Sequence, residues 1–217
     1  FSDKNIVKNL KITNNNLTKK NNILKYNSNI LNKILKTKKS LFFDNVSINS
    51  HSIKKNNLFV GIKGKKKDGN NFLNQAVKNG ANYCITTKSA KENFKFIRVK
   101  NTMNFLNNLA KSKRNLSSAK FIAITGSSGK TTVKTIIGNL LKKYSETYFS
   151  PKSYNNQFGV PLSISNINPN HNFGVFELGM NKFNEINKLS RLVRPHIGLI
   201  TNISEAHLEN FKNIEGI

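Results

Sequence analysis

The chain has 217 residues, enough for one large or two small cores, with 36 Lys and Arg against 10 Asp and Glu and a formal charge of +26. No run of eighteen apolar residues is present, which excludes a membrane-spanning helix; no charged-then-apolar leader opens the chain, and the lone Cys84 excludes an intrachain disulfide. The expected class is a soluble, cytoplasmic protein without redox chemistry, in which Cys84, inside the apolar run Ala81 to Thr86, has a packing role. The positive charge is dispersed over lysines that travel with Asn and Ile, with no arginine-rich stripe or aromatic platform, so no specific nucleic-acid partner is expected. Lys65, Lys66 and Lys67 make the densest basic run and read as a solvated loop. A polyanion-binding module driven by bulk charge stays open as an alternative.

Residues 1 to 40 are rich in Lys and Asn, with short apolar clusters such as Ile30, Leu31, Ile34 and Leu35, and predict a flexible lead with at most one helix. From Leu41 the texture changes to short apolar runs at 41–43, 58–62, 83–86 and 96–99, with helical spacing at Phe72, Ala76 and Val77 between two of them. This predicts a small α/β domain over 41–112. Met103, Leu106, Leu109 and Ala110 have helical spacing, and the polar stretch from Lys111 to Ser118 reads as the junction between domains, near 112–118.

Beyond the junction, strands at 121–125, 147–149, 173–178 and 197–201 alternate with helices at 130–143, 156–166 and 183–191. That alternation predicts a parallel sheet whose ligands gather at the carboxyl ends of the strands. Phe1 in place of Met, and a last residue, Ile217, that falls inside a patterned segment, lead us to expect a piece of a longer chain.

At the first of these strand ends the sequence reads Thr125-Gly126-Ser127-Ser128-Gly129-Lys130-Thr131-Thr132. Gly126 and Gly129 can adopt backbone angles closed to other residues, so successive N–H groups can converge on a phosphate at the positive end of the following helix. Lys130 would reach the terminal phosphates of a nucleoside triphosphate, and the Thr131 hydroxyl would face Mg2+. The general P-loop pattern needs a glycine where this chain has Ile124, so the turn is a shorter form.

Further candidates sit at the other strand ends. Glu177 lies at the end of the apolar strand predicted at 173–178, where a carboxylate is costly unless a cation or donor meets it. His207 follows the strand at 197–203 and reads either as a metal ligand or as a structural histidine. Asn155 and Asn156 follow the strand ending near Phe149 and read either as site residues or as a helix cap.

Four blocks, Thr125 to Thr132, Tyr154 to Pro161, Val175 to Gly179, and Val193 to Ile203 followed by Ala206-His-Leu-Glu209, together resemble the Mur ligases of bacterial cell-wall synthesis. Asn49 to Gly64, Asp68 to Phe72 and Ala76 to Ala81 resemble that family's UDP-sugar-binding domain, so the likeness covers about residues 41 to 217. The family usually has Asp and Arg where this chain has Asn49 and His51 around Ser50, and His lacks the bidentate fork of Arg.

The resemblance implies a small N-terminal α/β UDP-sugar-binding domain at 41–112, then a P-loop parallel-sheet ATPase domain at 119–217 that stops short, with the family's third, carboxyl-terminal domain absent. It implies that ATP is held by Thr125 to Thr132 with Lys130 on the β- and γ-phosphates, and that Mg2+ is held by Thr131, Glu177 and His207. Ser50, Asn155 and Asn156 would line the sites for the UDP-linked substrate. Within the family the blocks are most like the member that joins D-alanyl-D-alanine to a UDP-N-acetylmuramoyl-tripeptide through an acyl phosphate; a member adding a single amino acid is the alternative. A monomer is expected, and these 217 residues alone are expected to bind substrates weakly and not to turn over.

Overall fold

The computed structural model describes residues 3–89 and 93–204, with side chains from Asn16 onward. The chain divides into two compact units, Phe1–Arg98 and Val99–Ile217.

The first unit opens with one helix, α1 (Asp3–Leu35), longer than the composition predicts. Asn-rich sequences are poor helix formers, and the described anchoring lies in the last turns of α1. There Ile30 and Leu31 are buried, and the buried Asn27 amide donates to the Phe43 and Asp44 carbonyls at 2.8 and 2.9 Å. Leu41 to Phe43 is not a strand. Leu41 and Phe43 are buried in an irregular segment, and the strand, β1 (Val46–Ser47), comes three residues later.

Next come β2 (Asn57–Val60), a 3-10 turn over Gly69–Phe72, α2 (Leu73–Lys78), β3 (Ala81–Thr86) and β4 (Phe96–Arg98). The sheet is parallel throughout in the order β1-β2-β3-β4. Leu73 and Ala76 of α2 pack with Phe59, Cys84 and Phe96. Cys84 is fully buried, its thiol pushed up to about 12 by that burial, which is the packing role expected.

The second unit begins with α3 (Thr102–Leu116), capped by the Asn101 side chain on the Asn104 N–H at 2.8 Å. The predicted junction at 112–118 therefore falls inside a helix and its end, and the units divide earlier, after Arg98. The polar residues that looked like a linker are tied down. The Lys113 ammonium is 1% exposed and donates to the Ile167 carbonyl at 3.0 Å. Arg114 donates to the Val193 and Arg194 carbonyls at 2.6 Å each and lies 4.3 Å from the centre of the Phe121 ring. Both side chains donate to carbonyls at or just beyond the ends of neighbouring helices, which otherwise lack intrahelical partners.

The remaining elements are β5 (Lys120–Thr125), α4 (Lys130–Lys142), β6 (Thr147–Phe149), α5 (Gly159–Ser165), β7 (Phe173–Glu177), α6 (Glu185–Val193) and β8 (Ile197–Ile200). All four strands are parallel, in the order β6-β7-β5-β8, so the expected α/β alternation is present with boundaries shifted by a few residues. Side-chain alternation along β5 sorts the two faces. Phe121 and Ala123 pack with α3, α5 and α6, whereas Ile122 and Ile124 pack with Val133, Ile137 and Leu141 of α4. Helices thus cover both faces, and the loops after β5, β6, β7 and β8 gather along one edge.

Candidate functional site: a glycine turn facing a buried carboxylate

β5 ends at Thr125, and the chain turns through Gly126 and Gly129 into α4. Gly126 has φ +132°, and a Cβ there would lie 2.2 Å from the Thr201 hydroxyl oxygen. Gly129, at φ +75°, is the left-handed residue immediately before α4. A helix leaves its first N–H groups without intrahelical partners, and here they belong to Lys130, Thr131 and Thr132, at the positive end of the helix dipole.

The turn is held from the far side by the end of β8. Asn202 accepts from the Ser127 N–H through its carbonyl at 3.0 Å and from the Ser128 N–H through its side chain at 2.9 Å. Thr201 donates to the Ser128 carbonyl at 2.6 Å, and the Ser127 hydroxyl donates to the Ser204 carbonyl at 2.8 Å. The Lys130 ammonium spans the turn, donating to the carbonyls of Gly126 at 2.6 Å and Ser127 at 3.0 Å. Beside the turn, Met180, Ile186, Ile200 and Ile203 line an apolar recess of about 70 Å³. That space is too small for a nucleoside.

Glu177, at the end of the neighbouring strand β7, is 1% exposed. Its carboxylate collects partners from two elements. Thr131 donates to Oε2 at 2.8 Å and the Lys134 ammonium lies 3.5 Å from the same oxygen, both from α4. Asn155 donates to Oε1 at 2.8 Å from the loop between β6 and α5. Lys134, 1% exposed, also donates to the Lys152 carbonyl in that loop. Thr131 and Ser153 hydroxyls are 3.2 Å apart, and the Asn155 carbonyl accepts from the Gly179 N–H at 2.7 Å.

The two asparagines divide their work. Asn155 reaches Glu177, whereas the Asn156 side chain accepts from the Phe158 and Gly159 N–H groups at 3.0 Å each and caps the start of α5. Thr132 is exposed on α4. His207 lies outside the described residues. Ser50 is in the first unit, 5% exposed, and its hydroxyl donates to the Gln75 side chain at 2.9 Å. Among the described residues no three His, Cys, Asp or Glu side chains come together as a metal cluster.

A hydroxyl and a carboxylate, Thr131 and Glu177, are nevertheless a donor pair that suits a hard divalent cation, because Mg2+ commonly takes one or two protein oxygens and completes its shell with water and phosphate. Lys134 went unnoticed in the sequence, where a lysine on a helix reads as solvent-facing. Its spacing from Thr131 was the available signal: residues three apart share a helix face, and Thr131 was already a candidate. Thr201 and Asn202 carried no signal of their own, since only the fold brings β8 beside β5.

A parallel sheet with a glycine-punctuated strand-to-helix turn at its carboxyl edge defines a P-loop α/β protein. The Mur ligase family catalytic domain matches residues 43–114 and the Mur ligase middle domain matches residues 124–217. Between them they take in most of the chain, which belongs to the Mur ligase family.

Among similar proteins, the UDP-N-acetylmuramoyl-tripeptide--D-alanyl-D-alanine ligase of Rickettsia prowazekii is 38% identical over 174 residues, 79% of this chain and 38% of that protein. The enzyme of the same name from Escherichia coli is 32% identical over 174 residues, 80% of this chain and 38% of that protein. Among solved structures, MurF from Acinetobacter baumannii superposes with a TM-score of 0.75 at 30% identity, covering 87% of this chain and 43% of that one. MurF ligase from Thermotoga maritima in complex with ADP gives 0.67 at 32% identity, covering 82% and 42%. The chain thus spans about two fifths of the length of the curated relatives it matches.

Proposed function

We propose that this chain belongs to an ATP-dependent ligase that joins D-alanyl-D-alanine to a UDP-N-acetylmuramoyl-tripeptide, in the cytoplasm and as a monomer, during synthesis of the peptidoglycan precursor. The observation that carries the reading is the Gly126–Gly129 turn opening onto α4 with Thr131 against the buried Glu177 carboxylate. The names of the relatives and the ADP in the Thermotoga maritima structure support it.

In this reading the free N–H groups at the start of α4 and the Lys130 ammonium meet the nucleotide phosphates, which are already positioned by the strapped turn. Lys130 exchanges the Gly126 and Ser127 carbonyls for phosphate oxygens within the same turn. Thr131 and Glu177, with His207, hold Mg2+, which when bound neutralises charge on the transferring phosphoryl group. The γ-phosphoryl group passes to the terminal carboxylate of the tripeptide, ADP leaves, and the amine of D-alanyl-D-alanine displaces phosphate from the acyl phosphate to form the peptide bond. Asn155 and Asn156 line the muramoyl side, and the first unit takes the UDP moiety around Ser50, with no role for a specific nucleic acid.

The test is ligation by the protein that carries this sequence. Incubated with ATP, Mg2+, the UDP-tripeptide and D-alanyl-D-alanine, it is expected to yield the UDP-pentapeptide and one phosphate per product. Product formed with a single amino acid instead of the dipeptide would assign it to another Mur ligase. The 217 residues alone are expected to bind Mg·ATP without turnover, and phosphate release dependent on both acceptors would overturn that expectation.

A further inference from the structure

Lys134 is a buried lysine of the second unit, beside the candidate site, that the proposed chemistry does not use. Burying an ammonium is costly unless it is paired and hydrogen-bonded, and Lys134 is held at a place where it meets both conditions. One partner is the Glu177 Oε2 that also accepts from Thr131; the other is the Lys152 carbonyl, in the loop that carries Ser153 and Asn155. Asn155 closes the circuit on the second carboxylate oxygen at 2.8 Å. Three elements, α4, β7 and the β6–α5 loop, are thus joined through one carboxylate and one ammonium.

We propose that Lys134 is a positioning residue, a resident counter-ion that docks the Lys152–Asn155 loop on Glu177 and reserves that carboxylate for a cation arriving with phosphates. A bare divalent ion approaching Oε2 meets an ammonium 3.5 Å from it, so the local charge is already balanced. A cation accompanied by phosphate brings its own negative charge, which the Lys130 ammonium and the helix terminus receive, and the balance then favours entry. The proposal rests on the nucleotide reading above for the identity of the phosphate carrier, but the Lys134–Glu177–Lys152 arrangement can be tested without it.

In Lys134→Met, bare Mn2+, followed by its electron paramagnetic resonance signal with no nucleotide present, is expected to bind at least about tenfold more tightly than in the unaltered chain. A purely structural role predicts the opposite sign, since a loosened site binds metal less well. In the same variant, amide hydrogen exchange at residues 152–155 is expected to speed up by about tenfold, with the middle of α4 unchanged. Unchanged or weaker Mn2+ binding in a folded Lys134→Met chain overturns the proposal.

Should circular dichroism show that variant unfolded, Glu177→Gln decides instead. It keeps the shape and removes the charge, and unaltered exchange at 152–155 would overturn the docking. Failure of the unaltered chain to bind Mg·ATP, with the Mn2+ gain still seen, would remove the nucleotide reading and leave the counter-ion. Mg·ATP binding with no Mn2+ gain would do the reverse.

Discussion

Both units hang on a four-stranded, wholly parallel sheet, yet their carboxyl edges are furnished in different ways. After β1, the segment Asn49 to His51 is tied by hydrogen bonds to α2 and the residue that ends it: Ser50 donates to Gln75 at 2.9 Å, Gln75 lies 3.3 Å from the His51 ring nitrogen, and Asn79 donates to the Ser50 carbonyl at 2.9 Å. After β5 and β7, the edge carries a helix terminus, two ammonium groups and a buried carboxylate. The same backbone scaffold therefore offers two kinds of surface. Hydrogen-bonded neutral groups suit a ligand read by shape and hydroxyl contacts, whereas concentrated charge suits phosphate and metal, with larger consequences when it is disturbed.

The sharpest way to break the comparison is Gly126→Ala. The added methyl would collide with Thr201 at 2.2 Å in a backbone conformation an alanine resists, so Mg·ATP affinity measured by calorimetry should fall by two or more orders of magnitude, about 3 kcal/mol or more. Binding of the UDP moiety by the first unit should not change. A Gly126→Ala chain that keeps its nucleotide affinity would show that the turn is not the phosphate site.

A middle-sized effect concerns the other buried lysine of the second unit. Burial pushes the Lys113 ammonium down from 10.5 to about 7. Between those values the unfolded chain holds more protons than the folded one, so stability rises with pH over that window, by at most about 1.4 kcal/mol per unit. Below pH 7 both states are protonated and the slope vanishes. Urea midpoints taken between about pH 6.5 and 8.5, below the range in which the Cys84 thiol of the unfolded chain titrates, should climb more steeply for the unaltered chain than for Lys113→Met. Parallel curves for the two would refute the assignment.

The smallest effect belongs to the hydrogen-bonded segment after β1. Ser50→Ala removes one hydrogen bond to Gln75 and should cost about 1 kcal/mol of first-unit stability, read as a lower melting midpoint, with Mg·ATP binding unaltered.

The second half of the fold is legible in the sequence because each element is an apolar run or stripe bounded by turn residues, and the glycine turn is legible because φ near +132° at Gly126 resists any side chain and the left-handed φ of +75° at Gly129 favours glycine. What escapes is where polar residues act as interior ones. Lys113 and Arg114 look like a linker and instead cap neighbouring helices, which moves the boundary between units to Arg98. Lys134 looks like surface and instead faces Glu177. Leu41 and Phe43 are buried without a ladder partner, which no pattern of hydropathy distinguishes from a strand.

The strap across the glycine turn has a consequence for the order of assembly. Asn202 and Thr201 reach Ser128 from 74 and 73 residues further along the chain. Contacts that distant in sequence form late, because a long loop must close first, and β8 pairs with a β5 that was synthesised well before it. During synthesis the turn emerges early but acquires its final shape only when the residues just beyond β8 arrive. A ribosome-bound chain stopped before Thr201 would therefore carry the glycines and the lysine without a fixed cradle, and nucleotide could not yet help to fold it.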